Sequence, residues 1–195
     1  RMTIPQTNLR IGYFITNHYN ISIGVDHMKY VMYNDRRVDY SGYYPNAGSY
    51  NENPVGDQLT LDEDFLTFEH TDGLNYVNTE ISRVDDISSL FKLPNTDKFQ
   101  INVTEGVGVG LLYPKTNTKL LGKDRYDQFH IAGYGLSAKV GLNFTFFKYF
   151  FIQTELKGGY IDMNDIRTTS SKADSAEQHF WFLQRIIAVG GIFKI

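Results

Sequence analysis

Residues 127–147 read DQFHIAGYGLSAKVGLNFTFF. The even positions are Ala132, Tyr134, Leu136, Ala138, Val140, Leu142, Phe144 and Phe146, and the odd ones are Gly133, Gly135, Ser137, Lys139, Gly141, Asn143 and Thr145. Side chains on a strand point alternately to opposite sides, so the segment predicts a strand with one apolar face and one small or polar face. A half-buried strand of a soluble protein alternates too. The length, the glycine and the lysine at the centre of the second face ask for more. They ask for a different solvent on each side of the sheet.

A closed antiparallel barrel in a membrane meets that demand, with lipid outside, a polar lumen inside and about 10 residues per crossing. Composition agrees. Aromatics make up 15% of the 195 residues, with 14 Tyr and 14 Phe, and glycine supplies 17. Mean hydropathy is -0.33. No window approaches about 18 consecutive apolar residues, which excludes a transmembrane helix, and alternation hides a barrel from such averages. The absence of cysteine removes disulfides, thiolate metal sites and cysteine nucleophiles. A net charge of -3 without a basic stretch argues against a nucleic-acid partner. The chain starts at Arg1 without a signal peptide, so processing or a fragment is expected.

The same rhythm recurs. Residues 98–113 place Phe99, Ile101, Val103, Val107, Val109, Leu111 and Tyr113 on one face, with Glu105 interrupting it, where a bulge or a local contact is expected. Residues 149–163 oppose Phe150, Ile152, Leu156 and Tyr160 to Gln153, Glu155, Lys157 and Gly159. Residues 177–195 alternate less cleanly and put Arg185 on the apolar side. Weaker strands are read at 9–16, 20–33 and 74–86. The link around Lys148 is short, whereas 114–126, 164–176 and above all 34–73 are polar and long, as external loops are. The expected fold is therefore all-β: one domain over 1–195, an antiparallel up-and-down transmembrane β-barrel with a long extracellular loop region at 34–73. Seven strands are evident, and an even count is the rule, so about eight are expected. The eighth would lie in the long loop or in residues 1–8, or the chain is part of a larger barrel. The ending on Phe193 and Ile195 resembles the C-terminal strand that bacterial barrel-insertion machinery recognises.

Two groups of residues carry chemistry. On the inward side, Lys139, Asn143, Gln153, Glu155 and Lys157 fall on neighbouring strands. They form either a self-satisfied polar filling or a selectivity ring or proton path. The glycines Gly106, Gly108 and Gly110 are spaced by two in an alternating strand with no helix after them, so they save space and cradle no phosphate.

The second group is the stretch 62–76, DEDFLTFEHTDGLNY. It gathers Asp62, Asp64, Glu69, His70 and Asp72 at an expected external rim. Residues 68–73 resemble the His-x-Ser neighbourhood of outer-membrane phospholipase A and of lipid A 3-O-deacylase. The resemblance implies an acyl-ester hydrolase with His70 as base. The nucleophile's position, however, is Asp72, with Thr71 beside it on the other face. Asp62, Asp64, Glu69 and His70 also suggest a divalent cation such as Ca²⁺, although no EF-hand spacing is present. The alternative is a structural turn at Asp72-Gly73.

Aromatics at strand ends, among them Tyr33, Tyr113, Tyr134, Phe146, Phe147, Tyr149, Phe150, Tyr160 and Trp181, fit two interfacial girdles. The expectation is a bacterial outer-membrane barrel with no cofactor. Its loops would face the exterior, and its partners would be lipid and other outer-membrane or periplasmic proteins. A non-enzymatic binding, structural or accessory subunit is the leading role. A rim lipid hydrolase and a soluble lipocalin-like ligand-binding barrel are the alternatives.

Overall fold

The computed structural model describes residues 6–42 and 58–193; Ile195, most of 1–8 and the centre of the 34–73 segment lie outside them. The chain is all-β. Its strands are β1 (Asn8–Phe14), β2 (Tyr19–Val31), β3 (Arg37–Asp39), β4 (Gln58–Thr60), β5 (Leu66–Asp86), β6 (Phe99–Leu112), β7 (Lys115–Leu120), β8 (Tyr126–Phe129), β9 (Gly133–Phe146), β10 (Phe150–Arg167) and β11 (Ser175–Gly191). Among the described residues the one helical element is a 3₁₀ turn, Ser88–Phe91.

Seven long strands form a meander in the order β1-β2-β5-β6-β9-β10-β11, every neighbour antiparallel. These are the seven strands read from the alternation; an eighth crossing strand is absent among the described residues. β7 extends the sheet by pairing with the start of β5, and β8 pairs with β7. β3 and β4 make a separate small hairpin over part of the 34–73 segment. The sheet is curled, because Arg10 on β1 reaches Glu155 on β10 across its inner face.

Three expectations need correction. The segment 127–147 is not one strand: Tyr126–Phe129 pairs with β7, and β9 begins at Gly133. Between them Ala132 is buried rather than outward, its N–H bonded to Leu112 O and its carbonyl accepting from Asp165 N. The loop region does not reach residue 73, since β5 is continuous from Leu66. Likewise the expected 164–176 loop shrinks, because β10 runs to Arg167 and β11 resumes at Ser175. At Glu105, where a bulge or a local contact is expected, the register runs straight through and sets Arg83 directly opposite, so the second of the two holds.

The outer face keeps the apolar stripe. Ile11, Ile23, Ile81, Val107, Val109, Leu136, Val140, Leu156, Leu183 and Ile187 are all exposed. Aromatic rings gather at both its ends. Phe99 packs on Phe144 and Phe146, and Phe146 on Phe150, beside the short 147–149 link. At the other end Tyr160 meets Trp181, and Tyr113 stacks on Phe129. Beyond that end the outward residues turn polar: Glu69, Asp162, Asn164, Glu177 and His179.

The inner face has two levels. Near the short-link end and the middle it is polar, with Ser22, Asp26, Asn78, Glu80, Ser82, Asn102, Thr104, Asn143, Thr145, Glu155 and Lys157 buried. Toward the other end it becomes a hydrophobic core of Met28, Leu74, Tyr76, Leu112, Ala132, Ile161, Met163, Ile166 and Phe182. The interior is thus only half polar, and the change occurs within single strands. On β10 the inward series runs Gln153, Glu155, Lys157, Gly159, Ile161 and Met163.

Gly159 sits at that transition. A Cβ there would lie 2.2 Å from Leu136 O and 2.6 Å from the Phe182 ring, so neither backbone nor core has room for it. Gly159→Ala is expected to lower stability by about 1–3 kcal/mol, read as a lower denaturant midpoint; an unchanged midpoint would show that the wall yields there.

Candidate functional site

Six charged side chains meet inside the curl. Arg10 from β1 sits 2.8 Å from Glu80 Oε2, 3.2 Å from Asp26 Oδ1 and 3.5 Å from Glu155 Oε1. Lys139 from β9 lies 2.7 Å from Glu80 and 3.3 Å from Glu155. Lys157 from β10 bonds Glu80 Oε1 at 2.7 Å and also Asp26. Three acids face three bases, so the cluster is neutral. Lys157 is 0% and Glu80 1% exposed, which makes these ion pairs part of the interior and not of the surface.

Neutral groups complete the cluster. Asn78 Nδ2 donates to Asp26 at 3.0 Å, and Asn8 Nδ2 donates to its other oxygen at 2.6 Å. Gln153 donates to Glu155 at 2.7 Å and accepts from Asn143 at 3.1 Å. Asn102 and Thr145 both donate to Asn143 Oδ1, extending the network toward the short-link end. At the opposite limit the Lys157 ammonium lies 5.1 Å from the Tyr76 ring centroid, a cation–π contact that joins the polar level to the apolar one.

All five inward residues expected from the sequence, Lys139, Asn143, Gln153, Glu155 and Lys157, belong to this one network. Sequence reasoning missed Arg10, Asp26, Asn78 and Glu80. Asp26, Asn78 and Glu80 lay on polar faces in the alternation, and Arg10 breaks the apolar series of LRIGYFIT, so each carried a signal. What the sequence does not contain is the curl that brings β1 and β2 against β9 and β10.

The 62–75 stretch behaves differently. Asp62 accepts the Phe65 N–H at 2.8 Å, closing the turn that starts β5. Asp64 is exposed. Glu69 accepts from Asn117 on β7. His70 points inward, 0% exposed, against the Phe68 ring and 3.2 Å from Thr116 Oγ1. The register jumps here from Met28↔Leu74 to Tyr30↔His70, so 71–73 form a bulge. Gly73 has φ +118°, a conformation that favours glycine, and a Cβ would strike the His27 ring. The expected Asp72-Gly73 turn is this bulge inside a strand; the Asp72 side chain lies outside the described residues. Among the described side chains no three of His, Cys, Asp or Glu converge as metal ligands would. The candidates Asp62, Asp64, Glu69 and His70 are spread over a turn tip, an outer face and the interior.

Burial also sets the protonation of His70. It lies beyond the outward apolar band, and desolvation lowers its pKa from 6.5 to about 4, with Gln178 beside it offsetting part of the drop. A buried neutral imidazole with no carboxylate partner among the described side chains fills space; it is poorly placed to serve a nucleophile at the rim. In the loops, a hydrogen bond from Lys123 holds the Asp174 carboxyl below its usual range, with Thr169 assisting.

Comparisons with protein-family models, with curated proteins and with solved structures give no match.

Two outcomes follow from this geometry. Glu80 alone contacts all three cations, so Glu80→Gln leaves buried positive charge uncompensated. It should cost about 3–5 kcal/mol in equilibrium unfolding, and adding Lys139→Met should recover part of the loss; additive losses would mean that the two groups do not interact. For His70, the folded pKa is below the unfolded one, so the unfolded chain binds the extra proton. Its contribution is then complete above about pH 6.5 and is lost as pH falls toward 4. Unfolding measured across that window should show a slope that His70→Gln removes.

Proposed function

We propose that the protein is an integral β-barrel of a Gram-negative outer membrane. In this reading it is a non-enzymatic binding, structural or accessory subunit of a cell-surface complex. One observation carries it: a continuous outward belt of exposed Ile, Val and Leu side chains, bordered by aromatic rings, around a curled sheet with paired charges inside. In water such a belt is far larger than a soluble monomer tolerates, whereas lipid makes it favourable. On β9 the belt runs from Tyr134 to Phe146, enough for about 10 residues of crossing.

The interior argues for a plug over a pore. Barrels of about eight strands have room inside only for side chains. Here Arg10, Lys139 and Lys157 are already engaged by Asp26, Glu80 and Glu155. Binding then falls to the loops at the far end, which rest on the apolar core of Leu74, Tyr76, Ile161, Met163 and Phe182. A rim hydrolase gains no support, with His70 sealed inside and Asp72 where a serine would act. A lipocalin-like barrel would wet its outer face, the opposite of this belt.

The chain should need detergent or lipid to stay monodisperse, and its unheated form should migrate differently from the heated one on a gel. In planar bilayers it should give no steady conductance, and it should release no fatty acid from phospholipid or lipid A. Monodispersity at high concentration in plain buffer would end the membrane reading. Robust acyl hydrolysis would end the non-enzymatic one.

A further inference from the structure

Above Ala132 the sheet forks. Among the described residues β8 pairs with β7 alone. β10 parts from β9 at Met163 and continues beside β11 to Arg167. The last backbone bond between the two branches, among the described residues, runs from Asp165 N to Ala132 O. From there on side chains join them. His130 Nε2 lies 2.9 Å from Asp165 Oδ2, and Lys123 Nζ lies 2.8 Å from Asp174 Oδ2.

Between the tips of the branches opens a cleft of ≈ 490 Å³. Gly122, Lys123 and Asp124 line it from the β7–β8 turn, and Thr169–Ser171 and Asp174 from the β10–β11 loop. Its size falls in the range of about 300–1,000 Å³ usual for small-molecule sites. It also stands clear of the apolar belt, since β10 climbs from Tyr160 to Arg167, about 20 Å of strand, before the loop begins.

The lining defines what the cleft can hold. It contains no aliphatic or aromatic residue, so an apolar ligand gains nothing there. One lysine stands against two aspartates, so an anion is not favoured. The ion pair at its centre keeps hydrogen-bonding capacity. An ammonium has three donors and a carboxylate about four acceptor positions. Lys123 gives one donor to Asp174, and Asp174 accepts from Lys123 and Thr169, while both charged groups stay partly exposed. The loop holds this arrangement in place. Thr169 is buried and accepts the Ser171 N–H, and Ser171 Oγ accepts the Ala173 N–H. A donor and an acceptor fixed side by side match two neighbouring sugar hydroxyls, and such preorganisation lowers the cost of binding.

We propose that this cleft binds a neutral carbohydrate through a vicinal diol, one hydroxyl donating to Asp174 and its neighbour accepting from Lys123. The proposal rests on the reading that binding falls to the loops at this end, and it names the ligand class.

The test is saturation-transfer NMR on the full chain in phospholipid nanodiscs. One set of probes is glucose, galactose, mannose, N-acetylglucosamine and lactose; the other is oligosaccharide freed from lipopolysaccharide by mild acid. Transfer to the first set supports a free glycan, and transfer to the second alone supports a sugar carried on lipid. Lys123→Met and Asp174→Asn should each weaken binding about tenfold or more. Ser170→Trp, which fills the cleft from an exposed position, should abolish it while leaving the gel mobility of the unheated protein unchanged. No transfer to any of these sugars, transfer indifferent to Ser170→Trp, or displacement by inorganic phosphate or a basic peptide would each overturn the proposal. A chain that binds sugar yet is monodisperse without detergent would end the membrane reading alone. A detergent-dependent chain that binds none would end this proposal alone.

Discussion

The Glu80 carboxylate is the point on which the fold turns. It touches Arg10 on β1, Lys139 on β9 and Lys157 on β10 while standing on β5, so one side chain ties four strands across the interior. Backbone hydrogen bonds fix each strand to its neighbour but say little about how tightly the whole sheet curls. The cross-interior ion pairs do. They also set a constraint of balance: in a low-dielectric interior each charge depends on a partner, and three acids against three bases leave none over. Buried ion pairs of this kind add little net stability compared with apolar packing. Their effect is selective, because a slipped register would turn a whole strand over and strand several charges at once.

Above the ion cluster the interior changes solvent, from polar groups to a dry core, while the exterior changes the other way, from apolar to polar. The two transitions occur at about the same level, near Tyr76, Gly159 and Phe182 inside and Tyr160 and Trp181 outside. A strand that reverses its polarity on both faces is passing from one medium to another. On the membrane reading, the lower part is inside-out and the upper part folds like a small soluble sheet. This gives the loops a rigid base, since β5, β10 and β11 outlast the belt and pack against one another above it.

Period-two alternation made most of this legible. It named the seven long strands and placed Lys139, Glu155 and Lys157 on one face, because those facts are local to a strand and its hairpin neighbour. Lys157 and Asp26 are 131 residues apart, and nothing local announces their contact. The same limit hid the switch of partner at residues 130–132, where the chain leaves β7 for β6 without losing its alternating pattern. Alternation reports which residues share a face. It does not report which neighbour that face is shared with, nor whether the inner face meets charge or a Phe182 ring.

The stretch around His70 shows the rule failing from within. Two residues apart on a strand means one face, and that equivalence made His70 and the position of Asp72 look like a pair. It holds only while the strand is regular. The bulge at 71–73 inserts residues that β2 does not match, so the sidedness of the positions before it cannot be extended past it. His70 then goes into the core beside Thr116 and Phe68, and Glu69 goes outward to Asn117. The density of acids and histidine there has a plain origin. A strand leaving a dry core for solvent needs polar groups to close its turn and hold its neighbour, which Asp62 and Glu69 do, while Gly73 takes the positive φ of the bulge.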